Sequence, residues 1–350
     1  MPKTKRRFGK KRKFSQRKKF ESFREYKQFA TTTTVSASYS GERAEDYLRA
    51  SILSGNTLAG RFINVRTAVK YRENLPIVDV SEDIVKARTC DFTPNGTIAL
   101  TERFLQPIPL EVNLQQCKNN FLSQAYEILQ MGDSANKTIP QQLADFVIAS
   151  IGLEVGRSME IKIWQGNSTT NGTNDFDGFV TKLTADANLP DAQEIAGTTV
   201  TASNVMAQLD LIYGAIPVAI RESGEARIYV SNNIFNAYKR ALTAVGAAGL
   251  AGAGVGSQST LQDFGRDEIN FIDATITRAN GMPANTMIGT HQENLSFGTD
   301  LESDLNDVQL LDMRENDGSN NFRYVSNFSG DVNYANVSDI ATYGITNAAN

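Results

Sequence analysis

Apolar residues recur every four positions between 139 and 164, in IPQQLADFVIASIGLEVGRSMEIKIW. Leu143, Val147, Ile151, Val155 and Met159 fall in one row with Phe146 beside it, the spacing of an amphipathic helix. Thr138 stands where an N-cap belongs and Gln141 follows three residues on, as in a capping box. Pro140 in the first turn costs no hydrogen bond. At a rise of about 1.5 Å per residue, the segment predicts a rod of about 39 Å. Gly152 and Gly156 are poor helix formers, and their presence on this rod predicts a close packing contact. GNSTTNGTNDFDG (166–178) then predicts a long loop.

Elsewhere the period shortens to two. FINVRTAVKY (62–71) alternates apolar and polar residues, and FTPNGTIALTERFL (92–105) sets a Pro-Asn-Gly turn before a β-rich run. Together they predict an extended two-stranded excursion, which needs something to lie on because a lone hairpin is marginal in water. A short helix is expected in GERAEDYLRASILSG (41–55). Residues 199–246 predict helix, strand, helix in TASNVMAQLDLIYGAI, EARIYVS and NNIFNAYKRALTAVG. GAAGLAGAGVGSQS (246–259) predicts a mobile small-residue loop. From 271 onward short β-rich runs alternate with Asn, Asp and Gly turns. The class is α+β, and no internal repeat is present.

Charge divides the chain. The whole carries a formal net charge of -4, yet eleven of its first 20 residues are basic. These are Lys3, Lys5, Arg6, Arg7, Lys10, Lys11, Arg12, Lys13, Arg17, Lys18 and Lys19. Residues 1–30 carry +11 and the remaining 320 carry −15, while 291–350 hold ten acids and two bases. Such asymmetry marks a tail with its own partner. Lys and Arg neutralise phosphates, and the interleaved Phe8, Phe14 and Phe20 can stack on unpaired bases. An acidic protein surface, including the C-terminal 60 residues, is an equal alternative. No apolar run of 18 residues exists, so no transmembrane helix is expected, and the basic start has no apolar stretch after it as a secretory signal would.

Candidate chemistry is sparse. His291 is the only histidine, so a catalytic triad or a His-rich metal site has at most one place to stand. GAGVGS (252–257) lacks the Lys and the strand–helix setting of a phosphate loop. NDFDG (174–178) resembles half a calcium loop but lacks the distal Glu, so a turn is expected. Cys90 and Cys117 form no CxxC and are expected to be reduced.

The text of 285–319, NTMIGTHQENLSFGTDLESDLNDVQLLDMRENDGS, resembles the C-terminal part of major capsid proteins of tailed bacteriophages with the Hong Kong 97 fold. It looks closest to the crAss-like group infecting Bacteroidetes. Residues 90–121, 190–205 and 227–242 agree in order, so the resemblance spans about 40–345. It implies a basic N-terminal arm at 1–30, a linking arm at 31–55 and an extended loop at 56–112. A peripheral domain at 113–184 would include a spine helix at 139–164. An axial domain at 185–290 would follow, and strands of 291–350 would complete both. The implied function is structural: pentamers and hexamers tiling an icosahedral shell around packaged double-stranded DNA. No cofactor, metal or catalysis is implied. Implied partners are other copies of the chain, a portal, decoration or internal proteins, and DNA through the arm, in a virion assembled in the host bacterial cytoplasm. Some members cross-link a Lys to an Asn; Lys70 lies in the extended-loop segment, but no motif here assigns such a pair. The arm is shorter and more basic than the cleaved N-terminal regions common in that family. The alternatives are an encapsulin-like compartment with the same fold and a DNA-binding protein acting through the arm.

Overall fold

Among the described residues, three sheets divide the strands. The computed structural model describes residues 38–39, 56–80, 85–88, 90, 96–117, 141–169, 175–249, 267–300 and 308–347. In chain order, the elements are β1 (Ser38–Tyr39), α1 (Asn56–Ala59), β2 (Asn64–Arg66), β3 (Glu73–Val80), β4 (Ile98–Leu105) and β5 (Ile108–Cys117). The long helix α2 (Gln141–Gln165) follows, then α3 (Phe179–Ala185), β6 (Glu194–Ile195), α4 (Val205–Ala215), α5 (Val218–Ser223), β7 (Ala226–Ser231) and α6 (Asn232–Gly249). The chain continues through β8 (Glu268–Phe271), β9 (Ala274–Ala279), β10 (Met287–His291), β11 (Leu295–Gly298), β12 (Val308–Asp312), α7 (Arg314–Asp317), β13 (Asn321–Tyr334) and β14 (Ala341–Tyr343).

The 14-residue β13 organises the first sheet. Along one edge it pairs with β12 and then β11, and along the other with the whole of β5, from Asn321↔Cys117 to Gly330↔Ile108. The second sheet runs β6-β14-β10-β7-β9-β8. Successive residues of its central β7 face opposite ways, as the pleat requires. Ile228 and Val230 join the core beneath α4 and α6, whereas Tyr229 belongs to the core around α2. Tyr229 donates its hydroxyl to Phe62 O at 2.5 Å and lies 5.6 Å from the ring of Trp164. The two cores thus meet across one sheet.

Helix α2 follows the 139–164 segment that the sequence predicts and runs one residue past it, to Gln165, while Thr138 and Pro140 fall outside the described residues. Its buried face runs Ile148, Gly152, Val155, Gly156, Met159, Glu160, Ile163 and Trp164. Of the expected row of fours, Val155 and Met159 are buried and Ile151 packs against the same core, while the side chains of Leu143, Phe146 and Val147 lie outside the described residues. Both glycines are on the buried face, as close packing requires. The carbonyl side of α2 is also approached tightly by the loop after β9: a Cβ on Gly281 would lie 2.0 Å from Glu160 O.

Glu160 is itself buried. It accepts from the Thr57 N–H at 3.0 Å, from the Thr57 hydroxyl at 2.5 Å and from Trp164 Nε1 at 3.3 Å. Burial pushes its carboxyl above the ordinary 4.5, and these bonds only partly offset it.

Two expectations need correction. FINVRTAVKY holds only the three-residue β2: a positive φ of 65° at Ala68 interrupts the extended run, and Val69 beyond it donates its N–H to Thr299 O at 3.2 Å. The small-residue segment from 246 begins as helix, since α6 runs to Gly249; its remainder lies outside the described residues. The helix expected at 41–55 also lies outside them. Among the described residues no helix is long and apolar enough to cross a membrane.

Candidate assembly surface

Strands β3 and β4 form a two-stranded antiparallel hairpin separate from both larger sheets, in register from Glu73↔Leu105 to Val80↔Ile98. Alternation gives it two different faces. Leu75 and Leu105 point at the body and are buried, with Leu105 packed against the Cα of Gly298. The opposite face carries Val78 (63% exposed), Ile98 (76%), Leu100 (64%) and Phe104 (38%), with Val78 directly across from Leu100. Glu102 interrupts this row and accepts from Asn74 Nδ2 at 3.3 Å. Single exposed apolar residues are ordinary, but Val78, Ile98 and Leu100 lie side by side on one face of the ribbon, as in a contact patch.

The hairpin is anchored at its β4 end by two carboxylates. Asp331 of β13 accepts from the Gln106 N–H at 2.8 Å and from Lys182 Nζ at 3.1 Å. Asp186, just past α3, accepts from Arg103 at 2.5 Å and from the Tyr334 hydroxyl at 2.6 Å. Arg103 also lies over the Tyr334 ring, and Asn333 Nδ2 donates to Phe104 O at 2.6 Å. Burial pushes Asp331 above its ordinary value despite Lys182. Burial pushes Asp186 up as well, but the bonds from Tyr334, Asn188 and Arg103 outweigh it and hold the carboxyl low. At the β3 end, Arg66 pairs with Glu73.

A second exposed apolar pair lies on α2, away from its buried face: Leu153 (70% exposed) and Ile161 (44%), with the exposed Arg157 midway between them.

The residues singled out from the sequence fall elsewhere. Lys3 through Lys19 lie outside the described residues, as does GAGVGS. His291 ends β10, half-buried and paired across the sheet with Ala226. Asp175 bonds Lys162 at 2.5 Å, Phe176 enters the core, and Asp177 accepts from the Ser168 N–H at 2.7 Å, while Asn174 lies outside the described residues. Cys90 and Cys117 are free thiols. The anchor of Arg103, Lys182, Asp186, Asp331 and Tyr334 went unseen, since its partners come from three distant segments and no local spacing signals it.

No protein-family model matches the sequence, and no curated protein matches it. Solved structures do. A chain of the satellite phage P4 procapsid including size determination (Sid) protein superposes with a TM-score of 0.54 at 11% identity, covering 95% of this chain and 98% of that one. The fold is that of phage capsid proteins, the Hong Kong 97 type. Mycobacterium phage Adephagia (TM-score 0.47, 14% identity, 85% and 91% covered) and the capsid of a native GTA particle (0.46, 14%, 83% and 97%) are similar more loosely.

Proposed function

We propose that the chain is the major subunit of an icosahedral shell, assembling through pentamers and hexamers around packaged double-stranded DNA. The observation that carries this reading is the hairpin: a ribbon rooted firmly in its own subunit that turns Val78, Ile98 and Leu100 outward, beside a Phe104 whose ring Arg72 covers. On a fold shared with a procapsid chain over nearly its full length, the natural cover for that row is a neighbouring copy. Its burial would supply roughly 25 cal/mol per Å² of apolar surface removed from water.

In this reading the hairpin belongs to the extended loop of 56–112, α2 is the spine of the peripheral domain, and the sheet beneath α4 and α6 is the core of the axial domain. The crAss-like affiliation rests on the sequence resemblance alone. The basic arm supplies a contact inside the shell, to DNA or to an acidic protein surface. Arm-deleted protein should then keep its fold; lost salt-sensitive DNA binding would identify the first, unchanged binding the second.

Negative-stain electron microscopy of the purified full chain tests the main reading. Uniform shells or rings of five and six subunits are expected. A persistent monomer, even with partner proteins added, would overturn it.

A further inference from the structure

We propose that Asn280 is a latent deamidation site, held shut in the folded chain by the seat of Gly281 on α2 and opened when that seat comes apart. It does not depend on the shell reading.

The chemistry belongs to the Asn-Gly pair. The glycine nitrogen attacks the side-chain carbonyl carbon of the asparagine. The new C–N bond closes a five-membered imide, and the amide nitrogen leaves as ammonia with the glycine N–H proton. Water then opens the imide at either carbonyl, leaving aspartate or isoaspartate at that position. Glycine favours the step because no Cβ stands in the path of the ring. The chain holds three such pairs, Asn95-Gly96, Asn171-Gly172 and Asn280-Gly281.

At the third pair the asparagine is exposed but the glycine is buried. The pair occupies the turn after β9, closed by the Met282 N–H on Ala279 O at 3.3 Å. The attacking nitrogen is engaged, since the Gly281 N–H points at the Glu160 carboxylate. Gln165 Nε2 donates to Gly281 O at 2.5 Å, so the peptide units on both sides of the glycine are pinned to α2. Just upstream, Asn56 Nδ2 donates to Arg278 O at 2.5 Å, and just downstream Met282 is buried.

Attack requires the Gly281 nitrogen to swing off Glu160 and onto the Asn280 side chain. That swing drags the glycine across a seat so tight that a Cβ there would lie 2.0 Å from Glu160 O. Reaction therefore waits for local opening, and its rate scales with the open fraction. The reaction is also one-way. Isoaspartate adds a methylene to the backbone, and the seat has no space for it, so a loop that has reacted cannot dock again on α2.

Asn95-Gly96 serves as an internal reference, because its glycine is exposed. Peptide mass mapping of the full chain, incubated folded and in urea at mildly alkaline pH, reads conversion at both pairs. In the folded chain Asn280 is expected to convert at least about tenfold more slowly than Asn95, and in urea the two rates should agree within about threefold. Asn280 keeping pace with Asn95 in the folded chain, or staying slow in urea, would overturn the proposal. Gln165→Ala removes one pin and should speed Asn280 roughly two- to tenfold while leaving Asn95 unchanged. Asn56→Ala loosens the loop from its other side and carries the same expectation. Folded variants whose Asn280 converts no faster than in the parent would overturn the part given to α2 and its neighbours.

Discussion

Gln106 donates its backbone N–H to Asp331 Oδ2 at 2.8 Å, so the corner where the hairpin leaves the body hangs on a carboxylate 225 residues further along the chain. The same carboxylate takes Lys182 at 3.1 Å. Removing it strands the Gln106 backbone donor and leaves the largely buried Lys182 ammonium with only the Val332 carbonyl. Asp331→Ala should therefore lower stability by about 1–3 kcal/mol, read from the urea midpoint. Amide exchange should quicken first around 104–108, while α4 and α6 keep their protection. Uniform loss across the chain would contradict a local anchor.

Glu160 gives a pH dependence with a definite sign. Its carboxyl is pushed above 4.5 in the folded chain by burial, so the folded state holds the proton to higher pH than the unfolded state. Its contribution is fully present below about 4.5 and is lost as pH rises through the raised folded value. Asp331, also raised by burial, acts in the same direction. Glu160→Gln has no proton to lose. Its stability should decline less steeply as pH rises above about 4.5 than that of the parent. An unchanged slope would contradict the assignment. Asp186, held low, contributes stability above its ordinary 3.8 and loses it only in stronger acid, so it does not mask the effect.

Two glycines should respond oppositely to the same change. Gly281→Ala drives a methyl into the carbonyl of Glu160 and should cost about 1–3 kcal/mol. Gly214 sits inside α4 with nothing within 4 Å of a built Cβ, so Gly214→Ala should gain about 0.5–1 kcal/mol. Thermal melts of the pair check both signs at once.

The sequence made α2 and the β7–α6 unit legible because their periods are local: the apolar spacing of a helix and the run ARIYVS are complete within one segment. The hairpin was located only in part. Its strand β3 contains Pro76, which argues against a central strand. In a two-stranded ribbon each strand has a free edge, and the proline is tolerated there. Helix α5 was missed as well; six residues between Pro217 and Gly224 are too short for a period to show. The anchor at the hairpin root could not be read at all. Arg103 and Asp186, or Lys182 and Asp331, are brought together only by the fold, and each alone looks like a surface charge.

The central claim is that the outward row of the hairpin is buried between copies of the chain. Ile98 and Leu100 are well exposed in the isolated subunit, so a charge there should leave its fold intact. Sedimentation velocity of the full chain, parent beside Ile98→Asp/Leu100→Asp, tests this most directly. The account predicts rings or shells for the parent and a monomer with an unchanged melting temperature for the variant. A variant that assembles like the parent would contradict it.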